Sequence, residues 1–147
     1  RYYGRGPEEN AVDRARSQFL GVYEADVDAL FVDYVRPQDN GYKGEVRWVE
    51  FRDAAGKGVR FTASEPLFVQ ALHYTADDLD RSRHRGPAFG VGERRFRSPL
   101  VPRDEVCLNL DIRQCGLGGA SCGPRPLDEH LFPIRPEAWT VRIEPAR

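Results

Sequence analysis

The sequence predicts an all-β fold in which short antiparallel strands form a sandwich or a barrel. Strand-forming segments are short and are separated by runs rich in Gly, Pro, Asp and Asn. Only one segment has the pattern of a helix start, and the regular helices that a parallel α/β fold needs between its strands are missing. The 147 residues are a normal length for one domain and suffice to bury a core.

Apolar and alternating patterns predict the strands of the first half, at residues 29–35, 45–52, 59–63 and 68–74. The first of these is an apolar run that ends at residues 36–41, Arg-Pro-Gln-Asp-Asn-Gly, a sequence dense in turn formers. Residues 53–58 form a second turn, which predicts that the strands on either side of it pair as a β-hairpin.

One short helix is predicted to follow. Thr75 can cap its start, and Asp77 and Asp78 suit the positive end of the helix dipole. We expect about two turns, ending near Ser82.

The second half predicts a long surface loop and two further strands. The loop covers residues 85–103, with five Arg and several Gly and Pro. Residues 106–113 alternate most clearly as a strand, and residues 139–143 are expected to form the last one. Trp48 and Trp139, the two tryptophans, both fit core positions.

Charge and hydropathy exclude several classes of partner. The formal net charge is -1, so neither nucleic acid nor an anionic membrane is an expected partner. No apolar run approaches the roughly 18–20 residues that span a bilayer, and no secretory signal is visible. Because the chain starts at Arg1 rather than Met, we expect that an upstream segment precedes it; the cytoplasm is favoured over the periplasm.

No cofactor or metal is expected in this chain. Cys107, Cys115 and Cys122 match no zinc spacing and are expected to be ordinary free thiols. His73 is expected to be a hydrogen-bonded structural residue, since no partner residues around it suggest a metal site.

A glycine-rich segment near the start could be mistaken for a phosphate loop. Residues 4–7, Gly-Arg-Gly-Pro, do not lead from a strand into a helix, so we expect a turn instead. Arg5 and Arg14 could hold that turn through Glu8, Glu9 or Asp13.

Six motifs carry a family resemblance over nearly the whole chain. They are Tyr3-Gly4-Arg5-Gly6-Pro7-Glu8-Glu9-Asn10 with Asp13-Arg14, Tyr34-Val35-Arg36-Pro37-Gln38-Asp39-Asn40-Gly41 with Val46-Arg47-Trp48, Ala71-Leu72-His73-Tyr74-Thr75, Leu108-Asn109-Leu110-Asp111, Gln114-Cys115-Gly116-Leu117-Gly118-Gly119, and Ser121-Cys122-Gly123-Pro124. Their order and spacing resemble the C-terminal small-chain domain, domain 5, of family-2 glycoside hydrolases of the β-galactosidase type.

The resemblance implies a fold, and it implies that catalysis takes place in another domain. The fold is an antiparallel β super-sandwich, galactose mutarotase-like, of which residues 1–147 would be the C-terminal half with one short helix. Residues 85–98 would be an insertion relative to the family. The two catalytic glutamates of such enzymes lie in a (β/α)₈ barrel in another domain, so the chain alone is expected to be inactive. Its expected partners are the other domains of the parent enzyme and the β-galactoside substrate.

The resemblance also implies candidate sugar contacts. The loop at residues 114–124 corresponds to one that reaches the mouth of the active site, where some members carry a sugar-stacking Trp. Cys122 stands in that place here, so Cys122 and Ser121 are candidate carbohydrate-binding residues. Arg36 and Asn40 are two more. No residue is expected to be catalytic, because the adjacent Glu8 and Glu9 would direct their carboxylates to opposite faces of an extended segment.

Three functions follow as hypotheses. The first is a structural domain of a retaining β-galactosidase, lending one loop to the hydrolysis of terminal β-galactosides. The alternatives are a stand-alone carbohydrate-binding module and a mutarotase-like enzyme. Half of a super-sandwich exposes a sheet edge or an apolar face, so we also expect a homo-oligomer.

Overall fold

The computed structural model describes residues 1–34, 38–81, 100–118 and 123–146, with the backbone alone at residues 80 and 81. Its strands are β1 Tyr2–Gly6, β2 Phe19–Tyr23, β3 Lys43–Arg52, β4 Gly58–Leu72, β5 Cys107–Asp111 and β6 Val141–Pro145. Helix α1 spans Ala76–Arg81, and 3₁₀ helices span Val12–Ser17, Val27–Leu30 and Asp128–His130. The predicted all-β antiparallel class with one short α-helix is confirmed.

The strands form one six-stranded antiparallel sheet in the order β2-β1-β3-β4-β5, with β6 also paired to β4. Strand β4 is 15 residues long and pairs with two different strands along the same edge. Its first half pairs with β6, and its second half pairs with β5. Pro66, which has no amide hydrogen to donate, lies where the neighbour changes from β6 to β5. Residues 59–63 and 68–74, expected to be separate strands, therefore belong largely to one.

The predicted hairpin is confirmed between β3 and β4. Arg52 pairs with Gly58, and the Asp53 carboxylate accepts hydrogen bonds from the amides of Ala55 and Lys57, each at 2.9 Å. Gly56 supplies the positive φ of 77° that the turn needs. The turn chemistry is thus local, which is why the sequence pattern predicts it.

The core lies on one face of the sheet. Tyr2, Val46, Val49, Leu67 and Val69 form its buried cluster. Because alternate residues of a strand face opposite sides, Glu50 lies on the face opposite Val49. Glu50 is buried there, and its carboxylate bonds Arg52 and Arg60, each at 3.0 Å.

Helix α1 begins with a capping box. The Asp78 amide donates to Thr75 Oγ1 at 3.1 Å, and the Thr75 amide donates to Asp78 Oδ2 at 2.9 Å. The predicted cap and helix are confirmed. The Arg103 guanidinium bonds the same carboxylate and, with Thr75, holds the pKa of Asp78 well below its usual range.

The expectation of a strand at residues 29–35 is wrong. Residues 29–35 do not form a strand in the described part, 29–34; a 3₁₀ helix ends at Leu30 and irregular backbone follows. The Val32 amide bonds the side-chain oxygen of Asn40 at 2.9 Å, a side-chain acceptor in place of a strand neighbour.

Residues 4–7 are not a turn either, because Tyr2–Gly6 is strand β1. Gly4 serves close packing rather than chain reversal. A Cβ on Gly4 would lie 2.7 Å from Val46 Cγ2. The missing side chain lets β1 lie against β3.

The strand predictions for residues 106–113 and 139–143 are confirmed in part, since β5 is shorter and β6 starts at Val141. Trp139 therefore precedes β6 and is 39% exposed, which corrects the expectation of a core position. Trp48 lies on β3, and Cζ of the Arg60 guanidinium lies over its ring at 4.2 Å from the ring centroid.

In the described part of the chain, no helix is long and apolar enough to cross a membrane.

Candidate functional site

The segment around Asn40 is held by its own side chain. Asn40 is buried, its Oδ1 accepts from the Val32 amide at 2.9 Å, and its Nδ2 donates to the Gln38 carbonyl at 2.8 Å. Its backbone carbonyl accepts from Gln70 Nε2 at 2.6 Å. The side-chain amide of Asn40 thus bonds two backbone groups that precede it, the Val32 amide and the Gln38 carbonyl. Arg36 lies outside the described residues.

Glu9 fixes the same segment from the other side. Its carboxylate accepts hydrogen bonds from the Tyr34 hydroxyl and from the Gly41 amide, the latter at 2.7 Å. The hydrogen bond to Glu9 raises the pKa of Tyr34. Arg14 Nη1 lies 3.9 Å from Glu9 Oε1, which is one of the ion pairs that the sequence suggested. Glu9 is therefore occupied as a structural acceptor.

Arg5 does not pair with any of the three predicted acids. Its guanidinium bonds the Glu45 carboxylate and donates to the Gln18 carbonyl at 2.9 Å. Because β1 runs beside β3, the partner of Arg5 comes from a strand 40 residues away.

The described beginning of the segment at residues 114–124 is bonded to other parts of the chain. The Gly116 amide donates to the His130 carbonyl at 2.7 Å, and the Gly118 amide donates to Asp13 Oδ2 at 2.7 Å. Gly118 has φ of +58°, and a Cβ there would lie 2.7 Å from the Pro126 nitrogen. Ser121 and Cys122 lie outside the described residues. Asp13, one of the three acids that the sequence offers as a partner for Arg5 or Arg14, bonds the Gly118 amide.

His73 and the described cysteines have structural surroundings. His73 Nδ1 lies 3.1 Å from the Glu105 carbonyl, and its Nε2 lies 3.9 Å from Asp28. The hydrogen bond agrees with the expected structural role. Cys107 and Cys115 are free thiols, and Cys122 is not described. The described ranges contain no group of three or more His, Cys, Asp or Glu residues that could hold a metal ion.

Two adjoining cavities, of about 420 and 380 Å³, lie against the core face of the sheet and share Tyr2, Glu24, Leu30 and Lys43 in their walls. Lys43 is 6% exposed, and burial lowers its pKa although the charges of Glu8 and Glu9 oppose that shift. The Tyr2 hydroxyl is buried without a hydrogen-bond partner in the described structure. Buried polar groups normally have partners, so the Tyr2 hydroxyl is an exception on this face. No sequence signal indicated these groups, because their burial depends on how the sheet and the 3₁₀ helix at Val27–Leu30 meet.

An apolar strip continues from the core to the outer edge of the sheet. Strand β6 leaves one edge unpaired in the described residues, and Ile143 and Val59 are exposed there. Ile143 is paired in register with Phe61, which packs against the core. The apolar face of the sheet therefore extends beyond the buried core to Val59 and Ile143, which the described residues leave exposed.

Comparison with known proteins gives one consistent family. The family described as beta galactosidase small chain matches residues 1–143. The chain is 30% identical over 140 residues to a β-galactosidase of Arthrobacter sp. (strain B7), which covers 95% of this chain and 13% of that protein. It is 37% identical over 133 residues to a β-galactosidase of Halalkalibacterium halodurans, covering 89% of this chain and 12% of that protein. A β-galactosidase of Lactobacillus delbrueckii subsp. bulgaricus is 40% identical over 85 residues, which is 57% of this chain and 8% of that protein. The chain thus spans 13% or less of the length of these three relatives.

Proposed function

Since the chain belongs to the β-galactosidase small-chain family, we propose that it is the C-terminal portion of domain 5 of a β-galactosidase that hydrolyses terminal β-galactosides. Its role there is structural, and it lends one loop to the mouth of the active site. The observation that carries this proposal is the family match over residues 1–143, together with relatives that are named β-galactosidases and are far longer than this chain.

The chemistry of the parent enzyme requires a pair of carboxylates, and two carboxylates of the described residues, Glu9 and Glu50, are engaged in structural contacts. Retaining glycoside hydrolysis uses two carboxylates about 5–5.5 Å apart, one as nucleophile and one as acid/base. Glu9 is engaged by Tyr34 and Gly41, and Glu50 by Arg52 and Arg60. Neither carboxylate is available for proton transfer in this arrangement. We therefore assign the catalytic pair to another domain of the parent.

The candidate sugar contacts differ in how they would take part in binding. Ser121 and Cys122 lie outside the described residues, and the backbone that precedes them is bonded at Gly116 and Gly118. Cys122 would offer apolar contact in place of the stacking Trp of some relatives. Arg36, which also lies outside the described residues, would be a further contact to the substrate. The amide of Asn40 is already bonded, so its contribution would be to hold that segment.

The fold of the whole domain is proposed to be the galactose mutarotase-like super-sandwich, with the rest of the domain covering the core face. The exposed Ile143 and Val59 support a cover over this face. The free thiols of Cys107 and Cys115 suit a reducing compartment, so we propose the cytoplasm.

An alternative function is carbohydrate binding by the chain itself. The exposed Trp139 favours it, because aromatic rings on a surface can stack on sugar rings. Titration of the isolated chain with galactose and lactose distinguishes the two proposals. Binding at millimolar concentrations or tighter, lost in Trp139→Ala, would favour the binding module.

The isolated chain is expected to associate, because the apolar strip at β6 is uncovered. Light scattering at tens of micromolar should give the mass of a dimer or a larger oligomer. Ile143→Arg, which places a charge on the strip, should lower that mass. Ile134→Arg is the matched control, since Ile134 is fully exposed outside the strands, and it should leave the mass unchanged. A monomeric mass for the unaltered chain would refute the expected association.

The proposed function is tested by hydrolysis of a chromogenic β-galactoside. The full-length protein that contains this chain should hydrolyse it, and residues 1–147 alone should not exceed the buffer blank. A chromogenic β-glucoside serves as the specificity control. Hydrolysis by the isolated chain would mean that it contains a catalytic pair. An inactive full-length protein would overturn the β-galactosidase assignment.

A further inference from the structure

Strand β2 forms one edge of the sheet, and this edge is open in the described residues. It spans Phe19–Tyr23, lies at the end of the order β2-β1-β3-β4-β5, and pairs with β1 in continuous register over all five residues. On its other side the described residues provide no neighbouring strand. The backbone groups on the open side of an edge strand are a template for pairing with a further strand.

The side chains of β2 are apolar on both faces of the sheet. Phe19 is in register with Gly6, on the face where Tyr2 enters the core, and is 81% exposed. Leu20 and Val22 lie on the opposite face and are 42% and 56% exposed. An edge strand with one solvated face alternates apolar and polar residues, whereas a strand covered on both faces is apolar throughout. The composition of β2 is therefore that of an inner strand.

Strand β6 forms another edge of the same sheet and has a different composition. It contains Arg142 and Glu144 and ends at Pro145. Charged residues and proline are typical of edges that stay unpaired, because they disfavour the addition of a strand. Strand β2 contains neither a charged residue nor a proline. Of these two edges, β2 is therefore the one suited to pairing.

The small size of β2 favours a partner within the same polypeptide over a second copy of the chain. Five residues extend about 17 Å, and pairing two such edges buries far less surface than the roughly 1,200–2,000 Å² of a stable dimer. A strand in the same polypeptide needs no such area, because its effective concentration at the edge is high. The alignments cover only 13% and 12% of the Arthrobacter and H. halodurans β-galactosidases, so most of a comparable parent would lie outside residues 1–147.

The first residues of the chain lie beside the end of β2. Tyr2 is in register with Tyr23, and Arg1 Nε lies 3.6 Å from Glu24 Oε2. Polypeptide leading into Arg1 in a longer parent would therefore reach the sheet next to the open edge.

We propose that β2 is an inner strand in the intact parent, where a strand from outside residues 1–147 pairs with its open edge. This rests on the proposed function, in which the chain is a portion of a longer β-galactosidase. The backbone of the added strand supplies hydrogen bonds to β2. Its side chains are apolar on both faces, because they lie beside Phe19 on one face and beside Leu20 and Val22 on the other.

Hydrogen exchange of the β2 amides tests this pairing, in the full-length parent and in residues 1–147 alone. In an edge strand, alternate amides are bonded to the neighbouring strand and the others face solvent. An added strand protects the second set as well. Strand β6 is the matched control within the same chain, and the isolated chain is measured at two concentrations tenfold apart to detect pairing with a second copy.

We expect the solvent-facing amides of β2 to exchange at least about 100-fold more slowly in the full-length parent than in the isolated chain. Those of β6 should agree within about threefold. In the parent, Val22→Lys should speed exchange in β2 at least about tenfold, because it places a charge beside the added strand. Val101→Lys is its control, since Val101 is 67% exposed outside the strands, and should leave that rate within about twofold.

Three results would overturn the pairing. The first is equal exchange of β2 in the two proteins, and the second is equal slowing of β2 and β6, which would indicate a general cover. The third is protection of β2 in the isolated chain that rises with concentration, which would assign the edge to a second copy. Hydrolysis of a chromogenic β-galactoside by the same full-length protein tests the proposed function separately, since an inactive parent with a protected β2 would overturn only the activity.

Discussion

Replacing Leu67 with alanine is expected to lower the free energy of unfolding by about 3–4 kcal/mol. Leu67 is 0% exposed and lies opposite Val46 across the β3–β4 pair, within the buried cluster of the sheet. The truncation removes apolar contacts and leaves a cavity between two strands that pair over most of their length. Neighbouring side chains on a sheet can relax only partly into such a space.

Urea unfolding followed by Trp fluorescence measures this loss, at one fixed protein concentration because the chain is expected to associate. Leu127→Ala is the matched control, since the same side chain is 64% exposed there. We expect it to cost less than about 0.5 kcal/mol. Similar losses for both variants would mean that Leu67 is not in a tightly packed core.

Replacing Glu50 with glutamine is expected to lower the free energy of unfolding by about 2–3 kcal/mol at pH 7. Glu50 is 4% exposed and accepts hydrogen bonds from Arg52 and Arg60. Glutamine has nearly the same shape but no charge, so the two guanidinium groups lose the anion that balances them.

The effect should depend on pH. Burial raises the pKa of Glu50, but the hydrogen bond and charge of Arg52, with the charge of Arg60, lower it by more, so the folded-state pKa lies below the usual 4.5. A depressed carboxyl pKa contributes stability that is present above the unfolded-state value and is lost as pH falls through the folded-state value. The difference between the unaltered protein and Glu50→Gln should therefore be constant from pH 7 to 5 and should shrink below about pH 4.

Urea unfolding across this pH range is the measurement. Glu24→Gln provides the control, because the Glu24 carboxylate is exposed and lies 3.6 Å from Arg1. Exposed pairs of this kind contribute about 0–1 kcal/mol, so this variant should change little at any pH. A loss for Glu50→Gln that persists undiminished at pH 3 would show that charge neutralisation is not its cause.

Local chemistry explains which elements the sequence predicts well. The β3–β4 turn depends on Asp53 and Gly56, and the start of α1 depends on Thr75 and Asp78. The hydrogen bonds that form the turn and the helix cap join atoms within four residues of each other, so a short window of sequence contains them. The alternation of apolar residues in β5 is equally local.

Long-range contacts explain which predictions fail. Gly4 has the pattern of a turn glycine, and only the position of Val46 on the neighbouring strand shows that it is needed for close packing. Residues 29–34 have the pattern of a strand, but the side chain of Asn40 takes up the Val32 amide. Trp139 has the composition of a core residue and lies before the last strand begins.

The sequence by itself determined the antiparallel all-β class, the hairpin, the capped helix and, through six motifs, the family. Each of these depends on residue types at fixed short spacings. Only the tertiary structure decided that β4 serves two neighbours, that Glu9 holds Tyr34 and Gly41, and that Asp13 holds Gly118. Such contacts join residues 25 to 105 positions apart, and their partners are chosen by strand pairing and burial, which no local pattern contains.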